Sequence, residues 1–263
     1  MSNILAEIIA KRKQTVARLK QHIPVQAWEM MPGFLKKTKS LRKILEAGKS
    51  TGIIAEFKRA SPSKGIINGH ADVLEVTTAY EFHGAAALSV LTEPLFFNGN
   101  NDDLLNAAIT ATIPVLRKDF IFDKYQVTES KALGADVILL IAACLKPDDV
   151  KDLAIFAKQL KLEVILEIHS EAELGHICSE VDMVGVNNRD LKTFSLDINR
   201  SIELGKKIPA GKIKIAESGI EDIDTIRVFK EAGFSGFLMG GKFMSSANPG
   251  AAFEQFVQKL KQG

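Results

Sequence analysis

Eight short apolar runs, separated by polar stretches that are mostly of helical period, constrain this chain more than any other feature. They lie at 53–57, 87–91, 113–116, 137–141, 163–166, 183–186, 213–216 and 236–239. Near-continuous hydrophobicity is what a parallel strand covered on both faces requires. Between the runs, segments such as ADVLEVTTAYEFHG, KPDDVKDLAIFAKQLK and EDIDTIRVFKEAG repeat apolar residues at the spacing of a helix with one buried face. Gly84 and Gly233 stand where such helices would end, because glycine enters the left-handed conformation of a helix C-terminus without a Cβ penalty. Eight strand–helix repeats favour an α/β (βα)8 TIM barrel over an open doubly wound sheet. Neither GxGxxG nor GxxxxGK[ST] follows the first run, which counts against a dinucleotide or nucleoside-triphosphate fold.

The segment before the first run reads differently. Ile4, Ile8, Ile9, Val16 and Leu19 recur at near-helical spacing among lysines and arginines, which predicts an amphipathic helix. A second short helix is expected over 40–48, and GKSTG at 48–52 then punctuates the chain. The expected organisation is a helical extension over 1–50 packed on a single barrel domain over 51–263. Ile4, Ile8 and Ile9 need an apolar surface, and the barrel mouth is the nearest one. Deleting residues 1–45 is therefore expected to raise the Michaelis constant more than it lowers stability.

Composition narrows the partners. Thirty-four Lys and Arg against 32 Asp and Glu leave a formal charge of +2, which makes no case for nucleic acid or an anionic membrane. A small anionic substrate is compatible, since local charge governs a pocket. Cys144 and Cys178 have no CxxC or Cys/His spacing and read as reduced cytosolic cysteines. The N-terminus has no apolar core with a cleavage site, and the longest apolar stretch, 137–145, is too short to span a bilayer. A soluble, cytoplasmic monomer is expected.

Chemistry is sought at the strand ends, because barrels carry active sites at the C-terminal face while branched apolar side chains fill the interior. The first run continues as AEFKRASPS, and alternation puts Glu56 and Lys58 on one face. The third ends LRKDF with Lys118, the fifth ILEIH with Glu167, and the sixth VNNRD with Asn187 and Arg189. A lone pair of this kind could be a structural ion pair; four strands delivering polar residues to one mouth argue for a site. Two lysines and two carboxylates confined together should tune one another's pKa values, as acid–base chemistry requires. AESGI after the seventh run and LMGGK after the eighth place glycines where backbone N–H groups can approach a phosphate. The five histidines, His169 included, are scattered and read as structural or solvent-facing, and no metal site is expected.

These strand ends resemble those of the indole-3-glycerol-phosphate synthase family. IIAEFKRASPSKG is similar to its first-strand signature and LTEPLFFNG to its second-strand end. LRKDFIFDKYQ, ILEIHSEAEL, VGVNNRDLKTF, IAESGI and FLMGG follow in the family's order over essentially the whole chain. The resemblance implies a metal- and cofactor-free lyase of tryptophan biosynthesis. In the implied reaction the aromatic carbon of 1-(2-carboxyphenylamino)-1-deoxyribulose 5-phosphate attacks the sugar ketone, carbon dioxide leaves, and dehydration yields indole-3-glycerol phosphate. It further implies Lys118 as general acid and Glu167 as the base of dehydration. Lys58 contacts the substrate carboxylate with Glu56 as its partner, and Asn187 and Arg189 hold the sugar chain and orient Glu167. Ser61, Ser218, Gly219, Gly240 and Gly241 are implied at the phosphate, and Phe97, Phe120 and Leu139 around the anthranilate ring.

Some family members are fused to phosphoribosylanthranilate isomerase; this chain ends one helix after the eighth run and reads as monofunctional. It departs from the family at Gly241, where a hydroxyl or acidic residue is usual, so backbone contacts alone are expected there. Gly240→Val is expected to block the phosphate with little change in the chemical step, and Gly241→Ser to be tolerated. Two rivals stand beside this reading. One is another phosphate-binding barrel enzyme, such as an isomerase or a Schiff-base aldolase using Lys118. The other is a non-catalytic phosphometabolite-binding barrel.

Overall fold

A computed structural model describes residues 4–190 and 195–262. The eight apolar runs form parallel strands: β1 (Ile53–Phe57), β2 (Ala87–Leu91), β3 (Val115–Lys118), β4 (Val137–Ile141), β5 (Glu163–Ile168), β6 (Met183–Asn187), β7 (Ile213–Glu217) and β8 (Gly236–Met239). Each strand pairs with its sequence neighbours, and β1 closes on β8. The third strand starts later and ends later than its apolar run, because Arg117 and Lys118 continue the ladder against β2. Polar termini hide a strand from a hydrophobicity count.

Helices α4 (Val73–Phe82), α5 (Asn101–Thr110), α6 (Lys124–Ala132) and α7 (Pro147–Gln159) follow β1 to β4. Helices α8 (Ile198–Lys206) and α9 (Ile223–Glu231) follow β6 and β7, and α10 (Gly241–Met244) and α11 (Pro249–Gln262) follow β8. Asp72, Asn100, Asp123, Asp197 and Asp222 cap the first turns of α4, α5, α6, α8 and α9 through their side-chain oxygens, satisfying backbone donors that the helix cannot. Gly84 and Gly233 have φ of 99° and 80° just past α4 and α9. One unit breaks the repeat: after β5 there is no α-helix but a short 3-10 turn, Glu171–His176.

The core has two layers. Leu116, Leu139, Ile165, Met183, Ile215 and Leu238 fill the barrel interior, and a larger cluster fills the space between strands and helices. The extension contributes to both ends of the barrel. Helix α3 (Leu41–Glu46), whose N-cap Ser40 accepts from Lys43 N–H, plugs the N-terminal end with Leu41 and Leu45. Helix α1 (Ile4–His22) lies at the opposite end, where Ile4, Leu5 and Ile8 border the mouth cavity. Ile8, Arg12 and Val16 are its buried positions, while Ile4 and Ile9 are half-buried.

Arg12 is the charged member of that buried face, and its role was not legible in the apolar pattern. Its guanidinium grips Asp119 with two bonds, at 3.0 and 2.6 Å. Asp119 also accepts from Thr92 Oγ1 (2.6 Å) and from Arg117 (3.1 Å), and Arg117 pairs with Glu129 of α6 at 2.7 Å. Burial alone would neutralise Asp119, but Arg12 and Arg117 hold its carboxyl below the ordinary aspartate value. Because strand residues alternate, Arg117 and Asp119 point into the helix layer while Lys118 between them points into the barrel. The network thus anchors the backbone on both sides of Lys118 and ties it to α1.

No helix among the described residues is long and apolar enough to cross a membrane. Residues 191–194, the end of the VGVNNRDLKTF segment, lie outside the described residues, as do 1–3 and 263.

The position of α3 corrects the expectation for deleting residues 1–45, since such a deletion would remove the barrel plug along with the mouth helix. The two functions separate in two variants. Leu41→Ala should lower unfolding free energy by about 2–5 kcal/mol with KM unchanged, read by urea titration and steady-state kinetics. Deletion of residues 1–23 should raise KM while the barrel still folds. Unchanged kinetics in the deletion variant would reduce α1 to a structural appendage.

Candidate active site

The C-terminal end of the barrel opens into a cavity of about 230 Å³. Every residue singled out at the strand ends lines it: Glu56, Lys58, Lys118, Glu167, Asn187 and Arg189, then Ser61, Ser218, Gly219, Gly240 and Gly241, then Phe97, Phe120 and Leu139. The reason is the two-residue period. Glu56, Lys118, Glu167 and Asn187 lie on the same inward face as Ile54, Leu116, Ile165 and Met183 one step below, so the apolar floor aims the polar rim.

Lys118, at the end of β3, is the centre of the rim. Its Nζ donates to Glu167 Oε2 at 2.9 Å and lies 3.4 Å from Glu217 Oε2. Asn187 Nδ2 donates to the other oxygen of Glu167, also at 2.9 Å, and Asn187 Oδ1 accepts the Arg189 backbone N–H. Lys58 pairs with Glu56 at 2.5 Å on the β1 side. Phe97 and Phe120 face each other with ring centroids 6.0 Å apart, forming an apolar wall with Leu139 beside the charges. Beyond β7 and β8, Ser218 and Gly219 adopt φ of 68° and 67°, and Lys64 and Lys242 border the same end of the cavity.

Glu217 was quoted in the AESGI segment but not singled out, and it completes the site. It is 1% exposed at the end of β7, and Gly185 on β6 makes room for it, since a Cβ there would land on Glu217 Oε1. The available signal was its position as the last inward residue of a strand, the same position as Lys118 on β3. His169 was read as structural or solvent-facing and is neither remote nor open to solvent. It is 8% exposed, with Nε2 3.0 Å from Glu167 Oε1 and Nδ1 3.6 Å from Glu173 Oε2. The carboxylates lie off the line of the ring N–H bonds, so these are close ion pairs rather than aligned hydrogen bonds. Tight turning through Glu171–His176 brings Glu173 back over the ring, which no strand-and-helix pattern foretells.

Electrostatics sort the groups. Burial works against the charge on Lys118, but Glu167, Glu217 and Glu56 outweigh it and hold its pKa above the ordinary lysine value. Burial likewise favours neutral Glu167; Lys118, His169 and Asn187 reverse that and hold it well below the ordinary carboxylate range. Glu217 goes the other way. Burial, opposed by Lys118 but reinforced by Glu167 and Glu56, pushes it up to about 7. Sharing one lysine among three carboxylates leaves Glu217 as the one that keeps a proton most readily. Among the described residues no cluster of three or more His, Cys, Asp or Glu is arranged to hold a metal ion.

The raised pKa of Glu217 has a measurable sign. In the folded state it retains a proton that an ordinary carboxylate has lost, so this group's contribution to stability falls as pH rises from about 4.5 through about 7. Glu217→Gln should therefore gain stability on wild type across that window, by at most about 1.4 kcal/mol per pH unit, and level off on either side. Parallel stability curves for the two proteins would show that Glu217 titrates normally.

Comparison with known proteins agrees with this geometry. A family model described as indole-3-glycerol phosphate synthase matches residues 5–256. A Bacteroides thetaiotaomicron protein named indole-3-glycerol phosphate synthase is 42% identical over 261 residues, 99% of this chain and 100% of its own. A Bordetella pertussis protein of the same name is 38% identical over 265 residues, 98% of this chain and 100% of its own. Among solved structures, tryptophan synthase subunit alpha from Legionella pneumophila superposes with a TM-score of 0.62 at 15% identity, over 84% of this chain and 97% of its own. That likeness concerns the barrel alone. From the match over nearly its whole length, the chain belongs to the indole-3-glycerol phosphate synthase family.

Proposed function

We propose that the mouth cavity closes the indole ring of 1-(2-carboxyphenylamino)-1-deoxyribulose 5-phosphate, releasing carbon dioxide and water, with Lys118 and Glu167 moving the protons. The observation that carries this reading is Lys118 Nζ standing 2.9 Å from Glu167 and 3.4 Å from Glu217 inside a cavity with an aromatic wall. The family consists of decarboxylating lyases of tryptophan biosynthesis, and the reaction needs what this arrangement offers.

An aromatic carbon is a weak nucleophile, so the ketone must be activated by an acid at its oxygen. Lys118, kept protonated by its carboxylates, gives that proton as the carbon–carbon bond forms. The carboxylate then leaves as carbon dioxide and the ring regains aromaticity. Dehydration takes a proton from the adjacent methylene and delivers one to the departing hydroxyl. Glu167, aimed by Asn187 and Lys118, is the base, and Lys58, held by Glu56, is placed to attend the carboxylate and the leaving hydroxyl. Two protons go to oxygen and one returns, so each turnover takes one proton from solvent. Arg189 borders the sugar chain's path. Phe97, Phe120 and Leu139 offer the flat apolar surface an anthranilate ring needs.

The phosphate is assigned to the loops after β7 and β8, where Ser61, Ser218, Gly219, Gly240 and Gly241 gather with Lys64 and Lys242. Gly240 changes the test expected for this subsite. A Cβ on Gly240 would lie 2.8 Å from Glu56 Cβ, so Gly240→Val would displace the Glu56–Lys58 pair as well as the phosphate, and the chemical step would not be spared. Gly241 has open space toward Lys64 Nζ at 3.8 Å, so Gly241→Ser should be tolerated. It should bind inorganic phosphate unchanged or tighter by up to about 1 kcal/mol, and weaker phosphate binding in that variant would move the subsite elsewhere.

The acid and base assignments are tested together by the fluorescence of the indole product. Lys118→Ala should lose about a hundred- to ten-thousand-fold in turnover while substrate binding survives. Glu167→Gln should still release carbon dioxide in a single turnover but stall before the indole forms. A lysine variant that keeps a tenth of wild-type turnover, or equal loss of ring closure and dehydration in the glutamate variant, would refute the respective role.

A further inference from the structure

The mechanism leaves an interval uncovered. Once Lys118 has given its proton to the ketone oxygen, it is a neutral amine, and Glu167 has lost the cation that held it ionised. Burial then favours the neutral acid. Glu217, itself inclined to hold a proton near pH 7, stands beside the same lysine. A Glu167 that picked up a proton in this interval could not accept the one that dehydration must shed.

His169 is the group placed to prevent this. Its Nε2 lies 3.0 Å from Glu167 Oε1, the oxygen that also receives Asn187, whereas Lys118 holds Oε2. The ring itself is held from behind. Glu173 Oε2 accepts the His169 backbone N–H at 2.6 Å and lies 3.6 Å from Nδ1. Although burial opposes it, these two carboxylates keep the imidazole protonated, with its pKa pushed up to about 9. His169 borders not the mouth cavity but a second hollow of about 530 Å³ on the far side of β5, so it works on the base without touching substrate.

We propose that His169 is a positioning residue whose imidazolium, clamped between Glu167 and Glu173, keeps Glu167 ionised and oriented while Lys118 is uncharged. The surrounding charges leave that task to it. Cys144, from the turn after β4, has its thiol pushed up to about 12 by burial and by Glu167 and Glu173, and stays neutral. Around the hollow, Arg200 pairs with Asp190 at 3.4 Å, Lys207 with Glu171, and Lys206 with Glu203. Those three pairs cancel locally. Glu56 adds negative charge from β1 and acts on Lys118 and Glu217.

The inference rests on Glu167 being the base, and the experiment separates the two. The probes are the wild-type enzyme, His169→Gln, which retains a side-chain N–H of similar reach but no charge, and His169→Lys, which retains the charge. With the carboxyphenylamino-deoxyribulose phosphate as substrate, the acid limb of kcat in His169→Gln should move up by a unit or more. Turnover at pH 6 then falls at least about ten-fold relative to wild type, with a far smaller loss at pH 8.5. In a single turnover at pH 6, carbon dioxide release should run ahead of indole fluorescence, and His169→Lys should restore the wild-type limb. A loss in His169→Gln that is the same at every pH, or no loss, overturns the proposal, because packing alone does not distinguish protonation states. The wild-type protein supplies a check that needs no variant. The ¹⁵N shifts of the His169 ring with product bound should be those of the doubly protonated form at pH 7, and a neutral ring there overturns the proposal too. If Glu167→Gln keeps its dehydration rate, the base assignment fails; if Glu167→Gln stalls and His169→Gln is flat with pH, only the role of His169 fails.

Discussion

Three carboxylates, Glu56, Glu167 and Glu217, converge at the mouth of the barrel, each at most 3% exposed, and they are tolerated because Lys118 stands among them. Removing any buried charge from such a group would leave its partners desolvated and unpaired, which is far costlier than never burying them. Sharing is uneven. Glu167 takes the shortest contact and stays ionised, while Glu217, farther away and without a second cation, drifts to about 7. Unequal sharing turns a set of like residues into distinct acid–base partners.

Holding Lys118 there requires a rigid frame beneath and behind it. Beneath, the interior layers of Leu116, Ile165 and Leu238 fix which face of each strand points inward. Behind, Arg12, Thr92, Arg117 and Glu129 surround Asp119 and anchor the chain one residue past the lysine. Helix α1 therefore serves the site in two ways, by shaping the cavity rim with Ile4, Leu5 and Ile8 and by donating Arg12. A second frame stands behind Glu167, where Asn187, His169 and Glu173 hold the base as the Asp119 network holds the acid.

Much of this was legible in the residues. Strand number, closure and the inward aim of Glu56, Lys118, Glu167 and Asn187 follow from apolar runs and a period of two. Where reading failed, the reason was a charge in place of an apolar residue. β3 was displaced because Arg117 and Lys118 end it. Arg12 was hidden in an apolar stripe, and His169 was set aside because its partners are a strand neighbour and a turn residue. Glu217 was visible at the end of β7 and needed only Gly185 across the barrel to explain how it fits.

What the sequence determined by itself is the set of local periodicities and caps, and with them a closed parallel barrel whose polar strand ends share one face. Those are short-range matters, settled by side-chain size, φ preference and hydrophobic spacing along a few residues. Only the tertiary structure decided how the charges divide. That Lys118 binds Glu167 closely and Glu217 loosely, that Arg12 crosses 107 residues of chain to reach Asp119, and that Glu173 folds back over His169 are distances set by barrel closure. Electrostatic energy depends on separation and burial rather than on order in the chain.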